Sequence, residues 1–152
     1  KSKVRTVKVE ADEDNQSSYS ENEGEAPSDD FAAEVLRLVN IERKNNGLAA
    51  LEYDETLQKA AQVRADELVT YYSHDRPDGS ACFTVLDDFG ITSWASAENI
   101  AAGYASPADV VDGWMNSPGH RANILNSKYK YLGVGIAYGG GYGIYWSQLF
   151  TS

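Results

Sequence analysis

The sequence is short of the residues that most often staple or decorate a small domain. One cysteine, Cys82, stands among 152 residues, so the chain can form no disulfide with itself and packing must hold its loops. Cys82 lies between Ala81 and Phe83 with no basic neighbour to stabilise a thiolate, the setting of a buried core cysteine. Positive charge is also scarce. Thirteen Lys and Arg face 23 Asp and Glu, giving a net charge of −10, which excludes electrostatic binding to nucleic-acid phosphate or anionic lipid. No apolar run approaches the roughly 18 residues of a transmembrane segment. The chain opens Lys1-Ser2-Lys3, without Met or the apolar core of a signal peptide, as a processed or trimmed chain does.

What is present suits one ordinary domain with a tail. Hydrophobic residues make up 42% and aromatics 11% of the chain, enough for a core. Residues 1–30 hold four basic and nine acidic side chains, against nine and fourteen in the remainder, so charge is much denser in the tail. Val4, Thr6, Val7 and Val9 alternate loosely, and Asp12 to Asp30 is almost free of apolar residues. Such a stretch buries too little surface to offset its ordering entropy. The reading is an acidic, largely disordered linker over 1–29 and a folded domain over 30–152.

Within the domain, Phe31, Val35, Leu38, Val39 and Ile41 recur at helical spacing, with Asp29 or Asp30 as the cap and Gly47 as the stop. A second helix is expected from Asp54 to Tyr72, with a packing face of Leu57, Ala60, Ala61, Arg64, Ala65 and Leu68. A short one is expected over Cys82 to Phe89, ended by Gly90. Ser106-Pro107-Ala108-Asp109 is a strong helix start, and Ser117-Pro118-Gly119-His120 repeats it for a helix through Leu125. Tyr131–Tyr138 and Tyr142–Phe150 read as strands joined by Gly139-Gly140-Gly141, a hairpin. Helices followed by strands without regular alternation give an α+β class.

The polar candidates for chemistry are few. His74 and His120 are the two histidines; His74 opens the turn Ser73-His74-Asp75-Arg76-Pro77-Asp78-Gly79, and Glu98 lies between them. A carboxylate flanked in sequence by two imidazoles is what a small metal or acid–base site needs. No Gly-x-Ser-x-Gly elbow or His-Glu-x-x-His helix is present. Ser117 reads as a helix cap and Ser147 as part of a strand. Tyr131, Tyr138, Tyr142 and Tyr145 surround the glycine run and suggest a second surface, since tyrosine offers both an apolar ring and a hydroxyl.

Five blocks, taken together, resemble the CAP superfamily (cysteine-rich secretory proteins, antigen 5 and pathogenesis-related proteins), in particular its secreted bacterial branch. They are Leu38-Val39-Asn40-Ile41-Glu42-Arg43, Ser73-His74, Ala97-Glu98-Asn99-Ile100, Trp114-Met115-Asn116-Ser117-Pro118-Gly119-His120-Arg121, and Tyr145-Trp146-Ser147-Gln148-Leu149-Phe150. The resemblance runs from about Phe31 to Phe150. It implies an α-β-α sandwich, a central, mostly antiparallel sheet covered by helices on both faces. It also implies an extracellular or cell-envelope setting and a cleft formed by two histidines and two glutamates, which in some relatives holds zinc or another divalent cation.

His74 matches the first histidine of that set and Glu98 the first glutamate. Ser117 stands where the second glutamate belongs and Tyr145 where the second histidine belongs. His120, from the Ser-Pro-Gly-His-Arg block, is then the candidate third ligand, so the expected cleft is His74, Glu98, His120, Tyr145 and Ser117. Its candidate metal or catalytic set is His74, Glu98 and His120. No cofactor is required by this reading, and a divalent cation such as zinc would bind weakly. The leading function is a monomeric ligand-binding module for a small ligand, lipid or cell-surface component. The alternatives are a metal-assisted hydrolase of peptide or cell-wall material, and an interaction module with a vestigial cleft.

Overall fold

The computed structural model describes the chain from Pro27 to Ser152. The expected linker up to position 26, with its Val4–Val9 alternation, lies outside the described residues. Helix α1 covers Pro27–Asn45, starting a few residues before the expected caps. Its buried stripe is Val35, Leu38 and Val39, spaced one helical turn apart. Gly47 ends it at φ +77, which allows Gly47 and Leu48 to donate their N–H groups to the carbonyls of Lys44 and Arg43 at 3.0 and 2.9 Å. That left-handed position suits glycine.

Strand β1 (Glu52–Tyr53) leads into helix α2 (Glu55–Thr70), whose cap Asp54 accepts from the Leu57 N–H. Helix α3 (Thr84–Asp88), strand β2 (Ser96–Ala102) and helix α4 (Pro107–Met115) follow, the last capped by the Ser106 hydroxyl. Helix α5 (Pro118–Ile124) begins with Ser117 at the N-cap position, but the Ser117 side chain makes no capping bond. Strands β3 (Tyr131–Gly139) and β4 (Gly143–Thr151) close the chain. The hairpin turn is Gly140-Gly141-Tyr142, one residue later than the glycine run alone suggests.

The sheet has the order β1-β3-β4-β2. β3 and β2 both run antiparallel to β4, and only the two-residue β1 is parallel to its neighbour. Helices cover both faces. One layer joins Val35 and Val39 of α1, Val110, Val111 and Trp114 of α4 and Ile124 of α5 to Leu132, Trp146 and Phe150 of the sheet. The other joins Leu57, Ala60 and Ala61 of α2 and Val85 and Leu86 of α3 to Leu149. This is the expected α-β-α sandwich.

Small residues set the spacing of the second layer. Ala60, Ala61 and Ala65 are fully buried, and α2 lies so close to β3 that a Cβ at Gly133 or Gly135 would collide with the helix backbone at Leu57 or Ala61. At this distance α2 also serves the sheet's hydrogen bonds. Gln58 Oε1 accepts from the Val134 N–H at 2.9 Å, and Gln62 both accepts from the Ile136 N–H (3.1 Å) and donates to its carbonyl (2.8 Å). Two glutamines thus take the place of a further strand beside β3, beyond where β1 ends.

Buried Arg43 ties the opposite layer together without a carboxylate. Its guanidinium donates to the carbonyls of Ala49, Ile124, Asn126 and Tyr129, and burial pulls its pKa below the ordinary arginine value.

Candidate functional site

The centre of the site is Glu98, on edge strand β2. It pairs across the sheet with Leu149, so it projects into the α2–α3 layer where Leu149 packs. There it meets Arg64, the one cation on the alanine face of α2. Arg64 Nε donates to Glu98 Oε2 at 2.6 Å and Nη2 to Oε1 at 3.2 Å. Both side chains are out of solvent, at 0% and 1% exposure. Arg64 also donates to Glu67 at 2.8 Å and to the Ser73 carbonyl at 2.7 Å. Burial works against its charge, but the hydrogen bonds and charges of Glu98 and Glu67 outweigh it and hold its pKa above the usual value.

His74 completes the arrangement. Its Nδ1 lies 2.8 Å from Glu98 Oε1, and its side chain is 58% exposed. A carboxylate can only accept, so Nδ1 carries the proton and the lone pair of the neutral ring is on Nε2. The carboxylate–imidazole pair therefore fixes both ring orientation and tautomer, the role a carboxylate plays behind a catalytic or metal-binding histidine.

The loop that carries His74 folds back on itself. Asp75 and Ala81 form a bridge, and Cys82 donates its N–H to the His74 carbonyl at 3.1 Å. Arg76 clamps the loop to two helices. It binds both Glu67 oxygens from Nε and Nη2, and Asp88 at 2.8 Å and Thr84 at 3.0 Å from Nη1. The hydrogen bonds to Glu67 and Asp88 push its pKa up. Behind His74, charges alternate along one line: Glu98, Arg64, Glu67, Arg76, Asp88.

The structure changes the expected ligand set. Donor atoms of His74, Cys82 and Glu98 all lie within 4.8 Å of one another, and His120 is not among them. His120 enters instead through its backbone: its carbonyl accepts from Asn99 Nδ2 at 3.2 Å, and Asn123 Nδ2 donates to Asn99 Oδ1 at 2.8 Å. Asn99 follows Glu98 directly in a strand, so the two side chains leave opposite faces. Helix α5, with Ser117 at its start, is thereby anchored to the Asn99 side. The set His74, Glu98, His120 is not assembled.

Tyr145 is buried and pairs with Ala102, four residues along β2 from Glu98, or roughly 13 Å of strand. It packs instead against Tyr72 and Tyr142. Of the expected cleft residues, the structure joins His74 directly to Glu98 and places Tyr145 further along the same sheet face. An apolar hollow of about 380 Å³ lined by Ala32, Leu36, Tyr53, Leu132 and Val134 includes neither His74 nor Glu98.

The residues that sequence reasoning missed are Cys82 and Arg64, and their chemistry decides what the cluster can do. Burial and the neighbouring charge of Glu98 push the Cys82 thiol up to about 12, which keeps it protonated. A nucleophilic or metal-binding sulfur requires the thiolate, favoured by nearby positive charge; here a carboxylate opposes it. Both Glu98 oxygens already accept hydrogen bonds, and the Arg64 guanidinium beside them repels a cation. The donor set does not fit a tightly held divalent metal or a thiol nucleophile. It fits a rigid hydrogen-bonding histidine.

A sequence model described as the cysteine-rich secretory protein family, CAP, matches residues 36–150. The chain belongs to the CAP family. The CAP domain is 40% identical over 129 residues to the uncharacterised YkwD protein of Bacillus subtilis, covering 82% of this chain and 49% of YkwD. It is 34% identical over 105 residues to the uncharacterised membrane protein YlbC of the same organism, covering 68% of this chain and 30% of YlbC. The chain thus spans half or less of the curated relatives it matches. An extracellular SCP-domain protein of Bacillus anthracis superposes with a TM-score of 0.72 at 28% identity, over 82% of this chain and 41% of that one. An outer surface protein of Borrelia burgdorferi shares the fold, with a TM-score of 0.68 at 21% identity over 100% of this chain and 98% of that one. Among the described residues no helix is long and apolar enough to cross a membrane.

Proposed function

We propose that this CAP domain is a ligand-binding module of an extracellular or cell-envelope protein, and that it binds through His74 without covalent chemistry. The observation that carries the proposal is the buried Arg64–Glu98 pair holding His74 Nδ1 while the ring stays 58% exposed. Burying two charges for a partly exposed imidazole is costly, and the outcome is one ring orientation with Nε2 presented as an acceptor. The extracellular setting is supported by the Bacillus anthracis relative, whose description places it outside the cell. A hydrolase would need a nucleophile or an activated water at Nε2. The one thiol of the cluster is held protonated, which argues against that alternative.

The test is chemical-shift mapping with small hydroxylated ligands, followed through the side-chain nitrogens of His74. The expected result is a proton on Nδ1 in the free neutral ring, and Nε2 shifts that saturate with ligand and vanish in Glu98→Gln. A neutral ring protonated on Nε2, or saturable binding that leaves His74 unmoved, would reject the proposal. In solution the domain is expected to be monomeric, which light scattering after gel filtration would check.

A further inference from the structure

Three segments distant in sequence meet further along the same sheet face: the end of α2 with its following turn (Val69–Ser73), the end of β2 at Ala102 and Gly103, and the β3–β4 turn (Gly139–Tyr145). None contains Lys, Arg, Asp, Glu or His, in a chain of net charge −10. Tyr142 stands at their junction. It is 65% exposed and yet fixed in place. Its N–H donates to the Tyr145 hydroxyl at 3.0 Å. Its ring meets Tyr145 edge-on at 6.2 Å and Tyr72 at 6.4 Å, and it lies along the backbone at Gly103, where a Cβ would stand 3.7 Å from Cδ1.

The turn that delivers Tyr142 has little freedom. Gly140 has φ +63, and a Cβ there would press on the Tyr145 hydroxyl (2.6 Å) and the Val69 carbonyl (2.8 Å). Both constraints require glycine.

We propose that this tyrosine face binds an uncharged saccharide chain running from Tyr142 and Tyr72 toward His74. The proposal rests on His74 being the ligand-facing group of the domain. A pyranose ring has an apolar C–H face bounded by hydroxyls, and tyrosine answers both, with a π face and a phenolic donor and acceptor. An anionic polymer would find no cation in the three segments and would be repelled by the chain as a whole. An acyl chain would need enclosure, and Tyr142 stands open. The run from Tyr145 back to Glu98 is roughly 13 Å of strand, the length of two to three linked sugar rings. The stretch Tyr72-Ser73-His74 bridges it, placing Nε2 to accept from a sugar hydroxyl.

Titration of the full chain with chitotetraose, cellotetraose and an anionic tetragalacturonate, read by NMR, tests this. The expected result is saturable shifts of the Tyr72, Tyr142 and His74 rings with a neutral tetramer. Tyr142→Ala should weaken binding about tenfold, and Tyr142→Phe should retain most of it. Thermal melts check that these variants at an exposed position stay folded. The absence of saturable shifts with either neutral tetramer overturns the proposal, as does full affinity in Tyr142→Ala or tighter binding of the galacturonate. Loss of concentration-dependent line broadening in Tyr142→Ala would name a second copy of the chain as the occupant, and also overturns it. Sugar binding that survives His74→Ala but not Tyr142→Ala keeps the platform and removes His74 from it. His74 shifts with other hydroxylated ligands, and none with sugars, would keep His74 as the ligand group and discard the platform.

Discussion

Replacing Glu98 by Gln is the most direct challenge to the site as described. Gln has the same shape but removes the charge that faces Arg64 and puts an amide N–H₂ where one carboxylate oxygen accepted. Arg64 is fully buried, and its contacts to Glu98 are 2.6 and 3.2 Å. Removing one partner of a buried ion pair costs about 3–5 kcal/mol, because the other charge is left uncompensated. Arg64 keeps Glu67 at 2.8 Å and the Ser73 carbonyl at 2.7 Å, which places the expected loss at the lower end, about 3 kcal/mol. For a domain of this size that is a fall in Tm of about 10 °C. Urea unfolding followed by circular dichroism measures it. The double variant Arg64→Met with Glu98→Leu should recover much of the loss, since replacing both charges with apolar groups removes the penalty instead of exposing it. A Glu98→Gln loss below about 1 kcal/mol, or single-variant costs that simply add in the double variant, would refute the buried pair as the support of His74.

Further outcomes follow from the same geometry. His74→Ala should cost less than about 1 kcal/mol, because its ring is mostly solvated; a large loss would mean that the histidine serves stability. Zinc should bind no better than micromolar and be lost in His74→Ala, and a nanomolar affinity by calorimetry would show that the Arg64 charge does not oppose a cation. Cys82 should resist Ellman's reagent in the native state at pH 8. Its folded pKa, about 12 against an ordinary 9.0, is raised, so its contribution is whole below pH 9 and is lost as pH rises toward 12; about 1 kcal/mol should be gone by pH 10. Gly135→Ala should cost about 3 kcal/mol or more, from collision with the backbone at Ala61, and a folded variant of native stability would disprove the close approach of α2.

The helices and the final hairpin are legible because their signals are local: the Ser106-Pro107 start, the helical spacing of apolar residues, the glycine stops at 47 and 90. Strand β2 is not. Ser-Ala-Glu-Asn-Ile-Ala-Ala has almost no β-branched content, and it is a strand because β4 offers it a partner, a tertiary effect that overrides propensity. Glu98 and His74 were visible as a pair, but their neighbours were hidden. The turn Pro77-Asp78-Gly79 announces a reversal, yet nothing in its composition says that the chain returns Cys82 to His74. Arg64 does carry a signal: a long cation within an alanine packing stripe needs a buried anion, and Glu98 provides it. The placement of His120 is not legible locally, because it depends on strand alternation, which sends Glu98 and Asn99 to opposite layers and gives Asn99 the contact to helix α5.

The two glutamines of α2 have a consequence for how the molecule meets copies of itself. A strand with open amide and carbonyl groups is a template on which another chain can crystallise, and a domain without disulfides has no covalent brake on that process. Gln58 and Gln62 spend those groups internally along β3, and on the opposite border the Trp114 indole occupies the Ile100 carbonyl. The sheet is closed at these positions by side chains that belong to helices. Growth by adding strands there would first have to lift a helix away, so amyloid-like polymerisation is opposed by the cost of undoing the sandwich itself, and self-association is left to helices and loops.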